Sequence, residues 1–324
     1  MSDCGQRWAS PRVILVATDL FDLDRLMPYA IEQASDAQAR LILLHVLAAS
    51  ATLSVDAAGL PYYDTTSVVE AVEKQLLEWS ERAQLKGVLC EAVVREGNPT
   101  QQVITAIRQF EADRAILGTR SRSKIGKLLI GSVAEQVLRS VNIPVMTVGP
   151  EAHLAGAFEE RNRVVLHATT LRETSRPSAA LACSIAVNLG ARLVLLHVLP
   201  PEDEMVQSGL MTGLDSLAMH ELRKLAAETS AGCCSAVEPV VIHGNPSIEI
   251  LSESVERHAN LIVLGATHRS VFENMARDRT IYRVLAHARC PVLTLREPLE
   301  EAPEASADQT SNAQQQSGSL DRTS

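Results

Sequence analysis

Arg40-Leu-Ile-Leu-Leu-His-Val-Leu47 returns almost unchanged as Arg192-Leu-Val-Leu-Leu-His-Val-Leu199. An apolar run without alternation reads as a strand buried on both faces, as in a parallel sheet covered by helices. Three further pairs flank it: Gly97-Asn-Pro99 with Gly244-Asn-Pro246, Ala115-Ile-Leu-Gly118 with Ile262-Val-Leu-Gly265, and Pro144-Val-Met-Thr-Val148 with Pro291-Val-Leu-Thr-Leu295. The offset is 152 residues for the first pair and 147 for the other three. A single length difference, between the second strand and the Gly-Asn-Pro turn, therefore separates two copies of one unit.

Each copy parses the same way. In the first, Val13–Thr18 is an apolar strand, followed by a helix over about 24–38 that Asp24 is placed to cap. Residues 41–47 form the second strand. A long amphipathic helix starts at Ser67, where Ser67 and Glu70 have capping-box spacing, and ends near Gly87. Its apolar stripe, including Val69, Val72, Leu76 and Leu77, is ordinary core. Residues 89–95, 115–118 and 144–148 are the remaining strands. Pro99 opens one helix and Ser132 with Glu135 caps another. Gly97 and Gly244 read as turn glycines. Alternating strands and helices imply parallel βαβ units with right-handed crossovers. The expected class is α/β: two tandem open twisted parallel five-stranded sheets, Rossmann-like, with helices on both faces.

A chain of 324 residues is long enough for two such domains, each with its own core. The boundaries expected are 1–150, a linker over 151–162, a second domain over 163–296, and a disordered acidic and polar tail over 297–324. Only 3% of residues are aromatic, so Leu, Val, Ile and Ala must build the cores. The net charge is −9, and the tail, with six acids against Arg322, carries more than half of it. Neither body nor tail has the basic excess of a nucleic-acid binder. No apolar run approaches the ~20 residues of a membrane span. The cysteines, at 4, 90, 183, 233, 234 and 290, show no Cys-x-x-Cys spacing. Free thiols in a reducing cytoplasm account for them, and the adjacent Cys233 and Cys234 are a weak metal-site candidate.

The residues suited to chemistry lie between the fourth strand and the last helix of the first copy: Gly118-Thr-Arg-Ser-Arg-Ser-Lys-Ile-Gly-Lys-Leu-Leu-Ile-Gly131-Ser132. The loop carries Arg120, Arg122, Lys124 and Lys127 and no acid. A helix start offers unpaired N–H groups and the positive end of the dipole to an anion, and glycine lets the main chain come close. The plainer alternative is a turn and a cap behind a solvated basic loop. Asp19, in Ala17-Thr18-Asp19, ends the first strand, where open α/β sheets bind ligands. It reads either as a helix cap or as an acceptor for an adenine amino group or a ribose hydroxyl. His45 and His197 recur at one position in both copies, which favours packing over catalysis.

The order strand-Thr-Asp, Leu-His-Val, Gly-x-Pro, Gly-x-x-Ser-x9-Gly-Ser and Pro-Val-x-x-Val resembles the universal stress protein family, in its tandem, ATP-binding form. The resemblance covers about 11–148 and 162–296. It implies a fold like that of the adenine-nucleotide alpha hydrolases (the HUP class), and a cytoplasmic stress-response factor that is at most a slow ATPase. It implies that ATP, or another adenine nucleotide, binds the first domain, with Mg2+ as a candidate companion. Ala17, Thr18, Asp19 and the backbone of Val46 would hold adenine and ribose. Leu117, Gly118, Thr119, Arg120, Ser121, Gly131, Ser132 and Val133 would hold the phosphates. No catalytic residue is assigned. Ser121 departs from the family signature, which has a second glycine there.

In the second copy Asp278 aligns with Gly131, Thr170 replaces Asp19, and the loop loses most of its positive charge. That copy is expected to bind no ATP. The expected partners are the nucleotide and the other domain, joined through the strands at 144–148 and 291–295, with a dimer of chains as a further option. The alternative is an interaction scaffold with no nucleotide. Replacing Ser121 by Gly should tighten ATP binding by up to ~1 kcal/mol, since positive-φ strain is worth about that much. Weaker binding by calorimetry would mean that the Ser121 hydroxyl is itself a ligand.

Overall fold

A computed structural model describes residues 7–48, 53–55, 61–63, 65–119, 130–152, 163–201, 213–230, 236–267 and 275–297. The first half runs β1 (Val13–Thr18), α1 (Leu23–Ala37), β2 (Arg40–Leu47), a small hairpin of β3 (Leu53–Val55) and β4 (Pro61–Tyr63), and α2 (Thr65–Leu85). It continues with β5 (Cys90–Glu96), α3 (Pro99–Gln109), β6 (Arg114–Gly118), α4 (Ser132–Ser140) and β7 (Val145–Val148). The second half repeats the plan without the hairpin. Its elements are β8 (Val164–Ala168), α5 (Arg176–Asn188), β9 (Arg192–Leu199), α6 (Leu214–Ser230), β10 (Val237–His243), α7 (Pro246–Glu256), β11 (Leu261–Thr267), α8 (Met275–His287) and β12 (Val292–Glu297).

Within each half the strands are parallel. The two sets are not separate sheets. They form one ten-stranded sheet in the order β10-β9-β8-β11-β12-β7-β6-β1-β2-β5. The join is antiparallel, with Val292 opposite Thr147, Leu293 opposite Met146 and Thr294 opposite Val145. The Thr147 hydroxyl adds a bond to the Val292 carbonyl at 3.3 Å. The strands at 144–148 and 291–295 thus meet as expected. The proline ahead of each leaves the ladder itself intact.

Two apolar layers cover the sheet. One packs Leu26, Leu76, Leu181 and Leu222 of α1, α2, α5 and α6 on Ile14, Met146, Leu293 and their neighbours. The other packs Val103, Val137, Ile250 and Val284 of α3, α4, α7 and α8 on Leu15, Leu117 and Ile262. Both layers draw on both halves, so the core crosses the seam. Polar contacts follow it: Arg163 lies 3.4 Å from Glu32 and 3.6 Å from Asp36, and Tyr282 bridges Glu135 and Arg139. His287 faces Glu151, and Asn188 donates to Ser10.

The repeated motifs have local causes. Gly97 and Gly244 adopt φ of +124° and +148°, the region that favours glycine. The following Asn98 and Asn245 cap α3 and α7, accepting from the Gln101 and Ser247 amides, and Pro99 and Pro246 open the helices. Asp113 accepts the Arg12 and Val13 amides where β1 begins, and Asn260 does the same for Val164 and β8.

Several sequence-based boundaries shift. Helix α1 starts at Leu23 behind Asp22, so Asp24 lies inside its first turn as a dipole partner and not as the cap. Helix α2 starts at Thr65, two residues before Ser67, so Ser67 lies in the first turn and is not the cap. Gly131 is the N-cap of α4 and makes no side-chain bond, while Glu135 pairs with Arg139 at 2.6 Å. The Ser132 and Glu135 capping box is therefore not formed. Glu297, assigned to the tail, is the buried last residue of β12. The rest of the tail, most of the linker, and Cys233 and Cys234 lie outside the described residues. No described helix is long and apolar enough to cross a membrane.

Met146→Glu or Leu293→Glu places an unpaired charge in the layer that crosses the seam, which typically costs ~3–5 kcal/mol. Denaturant unfolding should show a loss of that order, and small-angle scattering a larger radius of gyration. An unchanged midpoint would mean the seam contributes little.

Candidate functional site

Strand β1 lies between β2 and β6, so the chain leaves it in opposite directions on the two sides. A crevice opens beyond the carboxyl ends of such strands. Here it is a cavity of about 380 Å³, within the size range of small-molecule sites. The cavity gathers Ala17 and Thr18 from β1, Asp19 from the turn after it, Val46 from β2, Leu117 and Gly118 from β6, and Gly131, Ser132 and Val133 from the start of α4. These are nine of the twelve residues expected from sequence. Thr119 is buried and does not line it. Arg120 and Ser121, with the rest of 120–129, lie outside the described residues.

The structure adds Leu44, His45, Leu47, Ala48, Pro99, Val103, Ala134 and Asp22. Leu44 and Val103 sit in apolar patterns that mark core equally well, so sequence alone does not single them out. Asp22 carries a legible signal, an acid four residues after Thr18, but a helix cap is the plainer reading of it. One wall is thus apolar, suited to a flat base, and the opposite end holds hydroxyls, two acids and a helix start.

The turn after β1 is held by its own side chains. The Thr18 hydroxyl donates to Asp22 Oδ1 at 2.7 Å and accepts from the Leu20 amide at 2.8 Å. Asp19 Oδ1 accepts from the Phe21 amide at 3.0 Å. Leu20 has φ of +76°, a strained value for a leucine. Asp19 therefore shapes a tight turn and does not cap the helix as one sequence reading had it. His45 Nδ1 lies 2.9 Å from the Thr18 carbonyl oxygen. That nitrogen carries the proton, because a carbonyl only accepts. His197 makes the same contact to Thr169, also at 2.9 Å. Both histidines tie the second strand to the end of the first.

At the start of α4 the Gly131 amide is taken by the Thr119 carbonyl at 3.2 Å. Gly131 therefore turns the chain, and the first-turn amides after it, from Ser132 onward, have no acceptor within the helix. Gly118 has a cause of its own. A Cβ there would lie 1.9 Å from Asp22 Oδ2, so the glycine makes room for the carboxyl. Burial pushes Asp22 up to about 6, opposed by the Thr18 hydrogen bond; Asp19 raises it and Arg25 lowers it. Among the described residues no group of three or more His, Cys, Asp or Glu can hold a metal ion.

The second copy solves the same packing problem differently. The Thr169 hydroxyl donates to Ser175, not to an acid, and accepts from the Leu171 amide. A Cβ on Gly265 would lie 1.6 Å from Glu297 Oε1, and Ser178 donates to that oxygen at 2.5 Å. Helix α8 begins at Met275, so Asp278 lies within its first turn and not at its cap as the alignment with Gly131 implied. Asp278 itself stands where the first copy has Gly131.

Burial holds Glu297 at about 7, against the Ser178 hydrogen bond and Arg172. A raised acid favours the folded state below its unfolded value, and that contribution is lost as pH rises through about 7. Glu297→Gln removes the charged form. Its thermal midpoint relative to the parent should therefore climb between pH 5 and 8, by at most ~3 kcal/mol in stability. A difference that stays flat with pH would place the Glu297 carboxyl in water.

A family model described as the universal stress protein family matches residues 11–149 and 161–296. A universal stress protein of Mycolicibacterium smegmatis is 26% identical over 304 residues, which is 87% of this chain and 96% of that protein. The crystal structure of a universal stress protein from Archaeoglobus fulgidus superposes with a TM-score of 0.64 at 20% identity, covering 88% of this chain and 98% of its own. Another solved chain, 23% identical with a TM-score of 0.32 over 42% of this chain and 95% of its own, is a universal stress protein in complex with cAMP. The family model's match to both halves, together with the internal repeat, establishes that the chain belongs to the universal stress protein family and carries two copies of its domain.

Proposed function

We propose that the first copy binds one adenine nucleotide per chain, ATP, through the twelve residues named from sequence, and that the second binds none. The protein then acts as a nucleotide-binding regulatory factor of the cytoplasm, with ATP hydrolysis at most slow. The observation that supports this is the convergence of Asp19, the apolar wall around Val46 and the start of α4 on one cavity. A base fits the wall formed by Leu44, Val46, Pro99 and Val103. In this reading Asp19 would accept from a ribose hydroxyl, and the amides of Ser132 and Val133 would serve phosphate oxygens. Arg120 and Ser121 complete the set of phosphate contacts in this reading. On this reading residues 1–150 form the binding domain, and 163–296, extended by the buried Glu297, a second domain whose role is structural or partner-binding.

A scaffold function is the second reading. It is favoured by the intramolecular carboxyls beside Gly118 and Gly265, which explain both glycines without any ligand.

Calorimetry with ATP should find one site per chain. Asp19→Ala and Gly131→Leu should each weaken binding more than tenfold, or about 1.4 kcal/mol. Asp19→Asn keeps the turn-forming oxygen and separates loss of the turn from loss of the charge. Changes at Thr170 and Asp278 should leave affinity unaltered. Two sites per chain, or loss of binding only from the second-half changes, would refute the assignment. Complete absence of binding would favour the scaffold.

A further inference from the structure

Besides Asp19 the cavity holds a second acid, Asp22, for which an anion-binding reading has no use, and that conflict has a chemical resolution. Asp22 lines the same cavity as Gly118, Gly131 and Ser132. Its Oδ2 rests against the Gly118 main chain, and its Oδ1 takes the Thr18 hydroxyl proton. A phosphate drawn to the α4 start would share a confined space with this carboxyl. Two anions in such a space repel, whereas a protonated carboxyl can donate to a phosphate oxygen.

Among the described residues, the charged and titratable groups around Asp22 come from the turn after β1, from α1 and from β2. Asp19, in the turn after β1, adds negative charge, and Arg25, on α1, offsets it. From β2, His45 lines the cavity but commits Nδ1 to the Thr18 carbonyl. From α2, Gln75 is neutral and donates to the Leu20 carbonyl. From β6 and α4 the cavity receives Leu117, Gly118, Gly131, Ser132, Val133 and Ala134, none of which titrates.

We propose that Asp22 is a proton-linked selector at the phosphate end of the cavity: a nucleotide phosphate seats against Gly118 and α4 only when the Asp22 carboxyl holds a proton, so binding takes up one proton from neutral solution. The inference rests on the nucleotide-binding reading above. Burial, which places the carboxyl at about 6 in the free protein, sets the working range. Below that value the proton is already present and affinity is level. Above it, affinity falls by about tenfold per pH unit, until the pH reaches the higher value of the bound state. Adenosine, which brings no phosphate, should bind with no such slope.

The test is calorimetry on the full chain with ATP and with adenosine from pH 5.5 to 8, in two buffers of different ionisation enthalpy. The unaltered protein is compared with Asp22→Asn, which keeps an oxygen for Thr18. The expected result is near-equal ATP affinity at pH 5.5 and at least a tenfold advantage for the variant at pH 8. The pH dependence of ATP itself cancels in that ratio. If the variant does not fold, the buffer pair still reads the parent. At pH 8, where ATP is fully ionised, ATP binding should take up a fraction of a proton approaching one. Parallel profiles for parent and variant, or no proton uptake at pH 8, overturn the inference while leaving nucleotide binding standing. If neither ATP nor adenosine binds at any pH, both readings fall together.

Discussion

Strands β7 and β12 each have one side whose N–H and C=O groups no strand of their own half can satisfy, and they satisfy one another. A bare apolar edge pairs readily with another chain, and here the neighbouring copy in the same chain is held close by a short connection. The antiparallel join places Met146 beside Leu293 and carries both apolar layers across the seam. The pairs Arg163 with Glu32, Tyr282 with Glu135 and His287 with Glu151 are arranged around this join. The first two pairs are partly buried and the third is exposed, and all lie beside the ladder and the continuous core that hold the two halves in register.

The position at the crest of each half shows how a repeat keeps a residue while changing its reason. Gly118 ends β6, Gly265 lies two residues before the end of β11, and each faces a buried carboxyl held by a hydroxyl. In the first half the acid is Asp22, from the turn before α1. In the second it is Glu297, from the end of β12, while Ser175 stands opposite Thr169. The glycine is retained in both because a Cβ would collide with the acid. Its retention therefore says nothing by itself about phosphate. His45 and His197 follow the same logic, since each fastens a strand end to a threonine carbonyl.

What distinguishes the halves lies elsewhere. Only the first places Asp19 in the turn after its first strand, where it shapes the chain and lines the cavity at once. In the first half Gly131 stops helix α4 and turns the chain toward Thr119. The second half lacks that glycine, and α8 runs back to Met275. An altered helix start moves the amides that an anion would use, even when the strands beneath superimpose.

The tandem plan, the strand identities, the Gly-Asn-Pro turns and nine of the residues lining the cavity were all legible from periodicity, internal repetition and family resemblance. Those features are local: a strand buried on both faces must be apolar throughout, and a positive-φ turn before a helix selects glycine, a capping asparagine and proline in order. Helix starts were less legible. Asp24, Ser67 and Ser132 each have capping chemistry, yet Asp22, Thr65 and Gly131 mark the actual ends, because packing and competing hydrogen bonds decide which residue leaves the helix. Only the tertiary structure decided that both apolar layers run across the seam, that Glu297 belongs to the core, and that Asp22 shares a cavity with the start of α4. Each of these depends on groups far apart in the chain meeting where water is excluded. There a backbone edge or a carboxyl must find a partner, and sequence order does not say which one is in reach.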